Sequence, residues 1–111
     1  MRRMPMLLGT FLAALLLAGA GSGPADADET TIGIDNFTFT PAEVTVPAGT
    51  KISWTNRDDI PHAVTAAANP RPFKSQPRDT GDTFAFVFSS PGTYHYFCSL
   101  HPHMQGTVIV R

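Results

Sequence analysis

The chain has 111 residues, a formal net charge of −1, 10 prolines, 9 glycines and one cysteine. A near-neutral balance with no basic run and no basic amphipathic helix excludes a nucleic-acid or membrane-surface binder. One cysteine excludes an internal disulfide, and the length allows a single small domain.

Residues 1–27 read as a secretory signal. Arg2 and Arg3 supply a positive start, Met6 to Ala20 is almost wholly apolar, and Ala25-Asp26-Ala27 fits a small-residue cleavage site. A cut after Ala20 is the weaker option. The apolar run falls short of the ~20 residues that span a bilayer as a helix, so no stable membrane anchor is expected. No cysteine stands near the cut, which removes the lipoprotein route. The paired arginines resemble a twin-arginine signal only poorly, because Pro5 follows so soon. The expected product is an exported, periplasmic domain of residues 28–111. At this size roughly 60–65% of the unfolded chain's surface can be buried.

That domain alternates apolar and polar residues in short runs punctuated by proline and glycine. Thr31–Ile34, Phe37–Thr40, Val44–Val46, Ile52–Thr55, Ala63–Thr65, Phe84–Phe88, Tyr94–Cys98 and Val108–Val110 are the strand candidates. Pro41, Pro47-Ala48-Gly49 and Pro91-Gly92 separate them as turns. No capped helical pattern of useful length is present. Short strands with frequent turns indicate an antiparallel sandwich or barrel. Phe84, Phe86 and Phe88 share one face. The stretch from Ala66 to Thr80, with Pro70, Pro72 and Pro77, reads as a solvated surface loop.

Cys98-Ser99-Leu100-His101-Pro102-His103-Met104 gathers a thiol, imidazoles and a thioether into one short loop. Cys98 is the only cysteine, and Met104 is the only methionine outside the apolar leader, which holds Met1, Met4 and Met6. A lone thiol in an oxidising compartment needs protection, and metal ligation would give it. Two histidines, one cysteine and a weak axial methionine make up a blue-copper electron-transfer site. The second histidine must come from upstream, where only His62 and His95 stand. His62 sits in the turn-rich Asn56–His62 stretch, where a ligand can be presented. If Cys98 faces inward, strand parity puts Tyr96 and Tyr94 on its face and sends His95 and Phe97 outward.

These residues resemble the cupredoxins, in particular amicyanin and its plastocyanin-like members. The matching pieces are Phe39-Thr40-Pro41, Val46-Pro47-Ala48-Gly49, Ile52 to Asn56, Asp59-Ile60-Pro61-His62, Pro91-Gly92-Thr93-Tyr94 and Cys98 to Gly106. The resemblance covers essentially all of residues 28–111. It implies an all-β, cupredoxin-like antiparallel Greek-key β-sandwich with one type 1 copper ion near one end, held by His62, Cys98, His101 and Met104. It implies shuttling of single electrons between transient donor and acceptor proteins, with His101 near the surface and a second, longer route through Phe97.

The chain departs from the family at two points. Ala63 stands where Asn follows the first histidine, keeping the backbone N–H but losing a side-chain tie. Leu100 replaces the proline of amicyanin, which is expected to restore a backbone donor near the sulfur, so that Leu100→Pro would lower the reduction potential. His103, beside the ligand loop, reads as an exposed histidine; its sharper role would be a partner contact or spare ligand.

Each ligand has an ordinary alternative: a buried cysteine as a small apolar residue, a methionine as core, Pro61-His62 as a plain turn. All four at these spacings outweigh them. A Cys–His hydrolase would need an exposed Cys98, a cleft this chain is too short to build, and leaves Met104 unexplained. A copper carrier or buffer of the same fold is the other alternative, and zinc can occupy the same ligands. The protein is expected to be a monomer that does no bond chemistry.

Overall fold

The computed structural model of the protein describes residues 28–111; the expected signal segment, residues 1–27, lies outside the described residues. Eight strands form: β1 (Glu29–Asp35), β2 (Thr38–Thr40), β3 (Glu43–Val46), β4 (Thr50–Asn56), β5 (Thr65–Ala66), β6 (Thr83–Phe88), β7 (Gly92–Cys98) and β8 (His101–Val110). They make two 4-stranded sheets, ordered β2-β1-β4-β6 and β3-β8-β7-β5. Among the described residues there is no helix.

The all-β sandwich agrees with the alternating pattern. Its sheets, however, are mixed. β1 runs parallel to β4 and β3 parallel to β8, while the other pairings are antiparallel. Parallel neighbours need a crossover. Here the crossover is made by strands of the opposite sheet: the chain leaves β2 for β3, returns to β4, and crosses again at β5, β6 and β7. Turn signals mark where strands end, and they carry no information about such non-sequential neighbours.

The two inner faces bury Ile32, Ile34, Ile52, Trp54, Phe88, Tyr96 and Val108, each at most 1% exposed. Trp54 is the centre, with ring centroids of Phe73, Phe84 and Tyr96 at 5.8, 5.8 and 5.3 Å. Each such large side chain contributes about 2–3 kcal/mol by leaving water. Phe84, Phe86 and Phe88 do line one face of β6, with exposure falling toward Phe88. Parity along β7 also holds: Tyr96 and Cys98 are buried and His95 is exposed.

Three expectations need correction. The stretch from Ala66 to Thr80 is not simply a solvated loop. Phe73 and Ser75 are both 5% exposed, and Lys74 and Arg78 bridge to Thr65 and His62. A single Phe and Ser among prolines carry no periodicity, so the pattern hides their burial. The Ala63–Thr65 run becomes strand only from Thr65, because Val64 N–H donates to Ser75 Oγ (2.9 Å) instead of a ladder. Phe37 does not begin β2; it is a turn residue with φ 56°.

Candidate metal centre

Cys98 ends β7 and His101 begins β8. The ligand segment is therefore a tight hairpin end rather than an open loop. Ser99 and Leu100 form the turn, Cys98 pairs with His101, and the register shifts between Phe97 and Cys98. The shift lies in the pairing and leaves the alternation along β7 intact, so Cys98 stays on the inward face of Tyr96 at 0% exposure.

His62 reaches the same point from the opposite sheet's loop. Its backbone is fixed by a reciprocal pair with Arg78, N to O at 3.1 Å and O from N at 2.7 Å. Asn56, fully buried at the end of β4, shapes the approach. Its Nδ2 donates to Ile60 O and Arg78 O (2.9 and 2.8 Å), and its Oδ1 accepts Asp58 N–H (2.9 Å).

The outcome is a cluster of three donor atoms, from His62, Cys98 and His101, all within 4.8 Å of one another. Cys98 Sγ lies 3.8 Å from His62 Nδ1 and 3.7 Å from His101 Nδ1. An ion at ~2.3 Å from sulfur and ~2.0 Å from nitrogen, subtending about 120°, would hold these atoms ~3.7 Å apart (zinc's distances serving as the yardstick for a first-row ion). The observed separations fit such a trigonal ion without rearrangement. Met104, 2% exposed, is buried in the same core cluster as Cys98. His95 is outside the cluster, its Nδ1 3.1 Å from Thr107 Oγ1. His103 is exposed.

Asp58 settles which nitrogen of His62 is free. Its Oδ2 is 2.7 Å from His62 Nε2. Asp58 is held ionised, its pKa lowered to about 2, chiefly by the N–H of Phe37 and further by Asn36 and His62, against the opposing effect of partial burial. An ionised carboxylate only accepts, so Nε2 carries a proton, and Nδ1, on the sulfur side, is the nitrogen left available to an ion. Asp58 also receives Asn36 N–H (2.6 Å on Oδ1) and Phe37 N–H (3.0 Å on Oδ2). One carboxylate thus ties the β1–β2 turn to a candidate ligand.

The sulfur accepts the Ala63 N–H at 3.3 Å, as the retained backbone donor at Ala63 led us to expect. Leu100 N–H makes no such bond; Leu100 stands in the turn, 45% exposed.

Three residues of the site were given no role from sequence. The sequence marks Asn56 and Asp58 only as turn residues, though a carboxylate four positions before a candidate ligand is a usable signal. Phe37, whose ring packs edge-on to both histidines at centroid distances of 5.5 and 5.0 Å, left no signal at all.

A cupredoxin-like domain model matches residues 8–110. Amicyanin-alpha of Methylorubrum extorquens is 34% identical over 103 residues, covering 88% of this chain and 87% of that protein. A chloroplastic plastocyanin of Tetradesmus obliquus is 33% identical, over 78% of this chain and 69% of its own length. Among solved structures, a purple cupredoxin from Nitrosopumilus maritimus superposes with a TM-score of 0.69 at 35% identity, covering 78% of this chain and all of that one.

Proposed function

The chain belongs to the cupredoxin-like family, and on that footing we propose that it is a small exported type 1 copper protein carrying single electrons between partner proteins. Cys98, His62 and His101 would hold the ion, with Met104 as a fourth, weaker donor. The observation that carries this reading is the equal reach of two imidazole Nδ1 atoms to one buried sulfur. Copper, when bound, supplies a one-electron couple between its two common valences.

The chain's own residues set the conditions for that couple. His62 and Cys98 are fully buried, which keeps water from the site, and His101 is only partly covered. Asp58 and the Arg78 bridge hold His62 in place before any ion arrives. The Ala63 N–H draws electron density from the sulfur. A site held this way need not rearrange when an ion changes valence, which keeps the barrier to electron transfer low. His101 provides the exit, flanked by the exposed Phe37 and Leu100. A small apolar face of this kind suits the brief, weak docking of redox encounters.

Bond chemistry on a substrate is outside this reading. A nucleophilic Cys98 would have to meet substrate, and its sulfur is sealed at 0% exposure. Residues 1–27 are proposed as a signal removed on export to the periplasm, leaving residues 28–111 as a monomeric domain.

Electron self-exchange tests the carrier role. In a mixture of oxidised and reduced protein, proton resonances near His101 broaden in proportion to the exchange rate. Exchange fast enough to merge the two forms' resonances is expected. A redox-silent or very slowly exchanging copper protein would instead be a carrier or buffer of the metal.

A further inference from the structure

The β1–β2 hairpin closes through two residues, Asn36 and Phe37, with φ of 53° and 56°. A two-residue turn with both central residues at positive φ matches the twist of paired strands, and its second position normally belongs to glycine. Asparagine tolerates the first position. A bulky phenylalanine at the second is a backbone outlier. Burial does not explain it, because Phe37 remains 44% exposed. Strained residues persist where their surroundings over-determine them, and they gather at functional sites.

The surroundings here are Asp58 and two histidines. Asp58 fixes the turn by accepting both of its N–H groups. The Phe37 ring then stands nearly perpendicular to His62 (89°) and to His101 (87°). The two imidazoles are themselves 5.1 Å apart, so the three rings close a triangle. His62 has other restraints, its backbone bridge and Asp58. For His101, at the edge of the hairpin, Phe37 is the ring in edge-to-face contact from outside its own sheet.

We propose that Phe37 is a positioning residue of the metal centre: its turn, held left-handed by Asp58, clamps the ring across both imidazoles so that His101 keeps its orientation and no external ligand replaces it. This rests on the reading of His62 and His101 as ligands. Edge-to-face aromatic contacts are directional, so the ring constrains the imidazole angle as well as filling space.

The test uses the full chain, wild type and with Phe37→Gly, Phe37→Leu or Phe37→Tyr. Each is loaded with Cu(II) and titrated with imidazole while the visible spectrum is recorded. Relaxation of the His101 ring is measured by NMR on the metal-free proteins. Phe37→Gly suits the backbone and removes the ring; it should yield to imidazole at a concentration at least tenfold lower than wild type and show a more mobile His101 ring. Phe37→Leu should move the same way, and it carries the test should the glycine variant fail to fold. Phe37→Tyr should behave as wild type. Titrations and relaxation that coincide across all four proteins overturn the proposal, as does a tyrosine variant as open as the glycine one. A wild type that shows no intense visible band sinks the metal reading instead, and the metal-free relaxation still decides whether Phe37 restrains His101.

Discussion

Asp58 and His62 stand four residues apart, and the Asp58 carboxylate accepts the His62 Nε2 proton at 2.7 Å while also taking the N–H groups of Asn36 and Phe37. The orientation of His62 is thereby linked to a turn at the far end of another strand. Removing the charge while keeping the shape isolates this link. Asp58→Asn should weaken metal binding by about 10–100-fold, the usual cost of losing a carboxylate behind a ligating histidine. Competition with a chelator measures it, and equal affinity would show that the pair is incidental.

The same carboxylate gives the metal-free protein an acid dependence. Its pKa falls from 3.8 to about 2 on folding. A depressed carboxylate contributes stability that is present above about pH 4 and lost as pH falls toward 2. Denaturant unfolding of the metal-free chain should therefore weaken through that window. The Asp58→Asn variant should lack this component, and equally steep curves for both proteins would contradict it.

Tyr96 shows the opposite sign. Burial raises its pKa from 10.0 to about 12, so its contribution is complete below pH 10 and is lost as pH rises toward 12. Among the described residues its hydroxyl has no hydrogen-bond partner of normal geometry, though the Trp54 side chain opposes the rise to a smaller extent. Tyr96→Phe should remove the alkaline loss and leave neutral stability unchanged or higher by roughly 1 kcal/mol. A clear loss at neutral pH would mean that the hydroxyl is satisfied after all.

Gly106 lies opposite Tyr96 in the β7–β8 ladder, and a Cβ there would come within 2.3 Å of the Tyr96 ring and hydroxyl. No flexible chain end can yield, since the ring belongs to the core. Gly106→Ala should destabilise the fold by about 1–3 kcal/mol, seen as a lower urea midpoint. It should also disturb copper binding, because Met104 is two residues away on the same strand.

The sulfur's donor set separates two neighbouring substitutions. Leu100→Pro removes an N–H that does not reach Sγ, and the potential should stay as in wild type. Ala63→Pro removes the N–H that does, at 3.3 Å, and should lower the potential by destabilising the more negative reduced site. Voltammetry on the pair decides; a drop in the leucine variant alone would reverse the assignment.

What could be read from sequence was what the chain keeps local. Cys98, His101 and Met104 fall within seven positions, and alternation oriented Tyr96, Cys98 and His95 correctly, because strand parity is a property of adjacent residues. His62 was reachable as the one upstream histidine in a turn. The rest depends on contacts between distant segments. Asp58 meets Asn36 and Phe37 across 22 and 21 positions. The parallel pairing of β1 with β4 and the burial of Phe73 likewise come from chain crossings that no local pattern encodes. At Leu100 the missing proline shows that an N–H exists and says nothing of whether it bonds the sulfur; among the described residues only the Ala63 N–H does.

The central claim is that Cys98 and two histidines grip one ion through sulfur and Nδ1. Titrating the protein with Cu(II) while recording optical and EPR spectra tests it most directly. One equivalent should produce an intense visible thiolate-to-copper band with small copper hyperfine splitting, both abolished in Cys98→Ser. A fully loaded protein without that band, or a Cys98→Ser spectrum identical to wild type, would contradict the account.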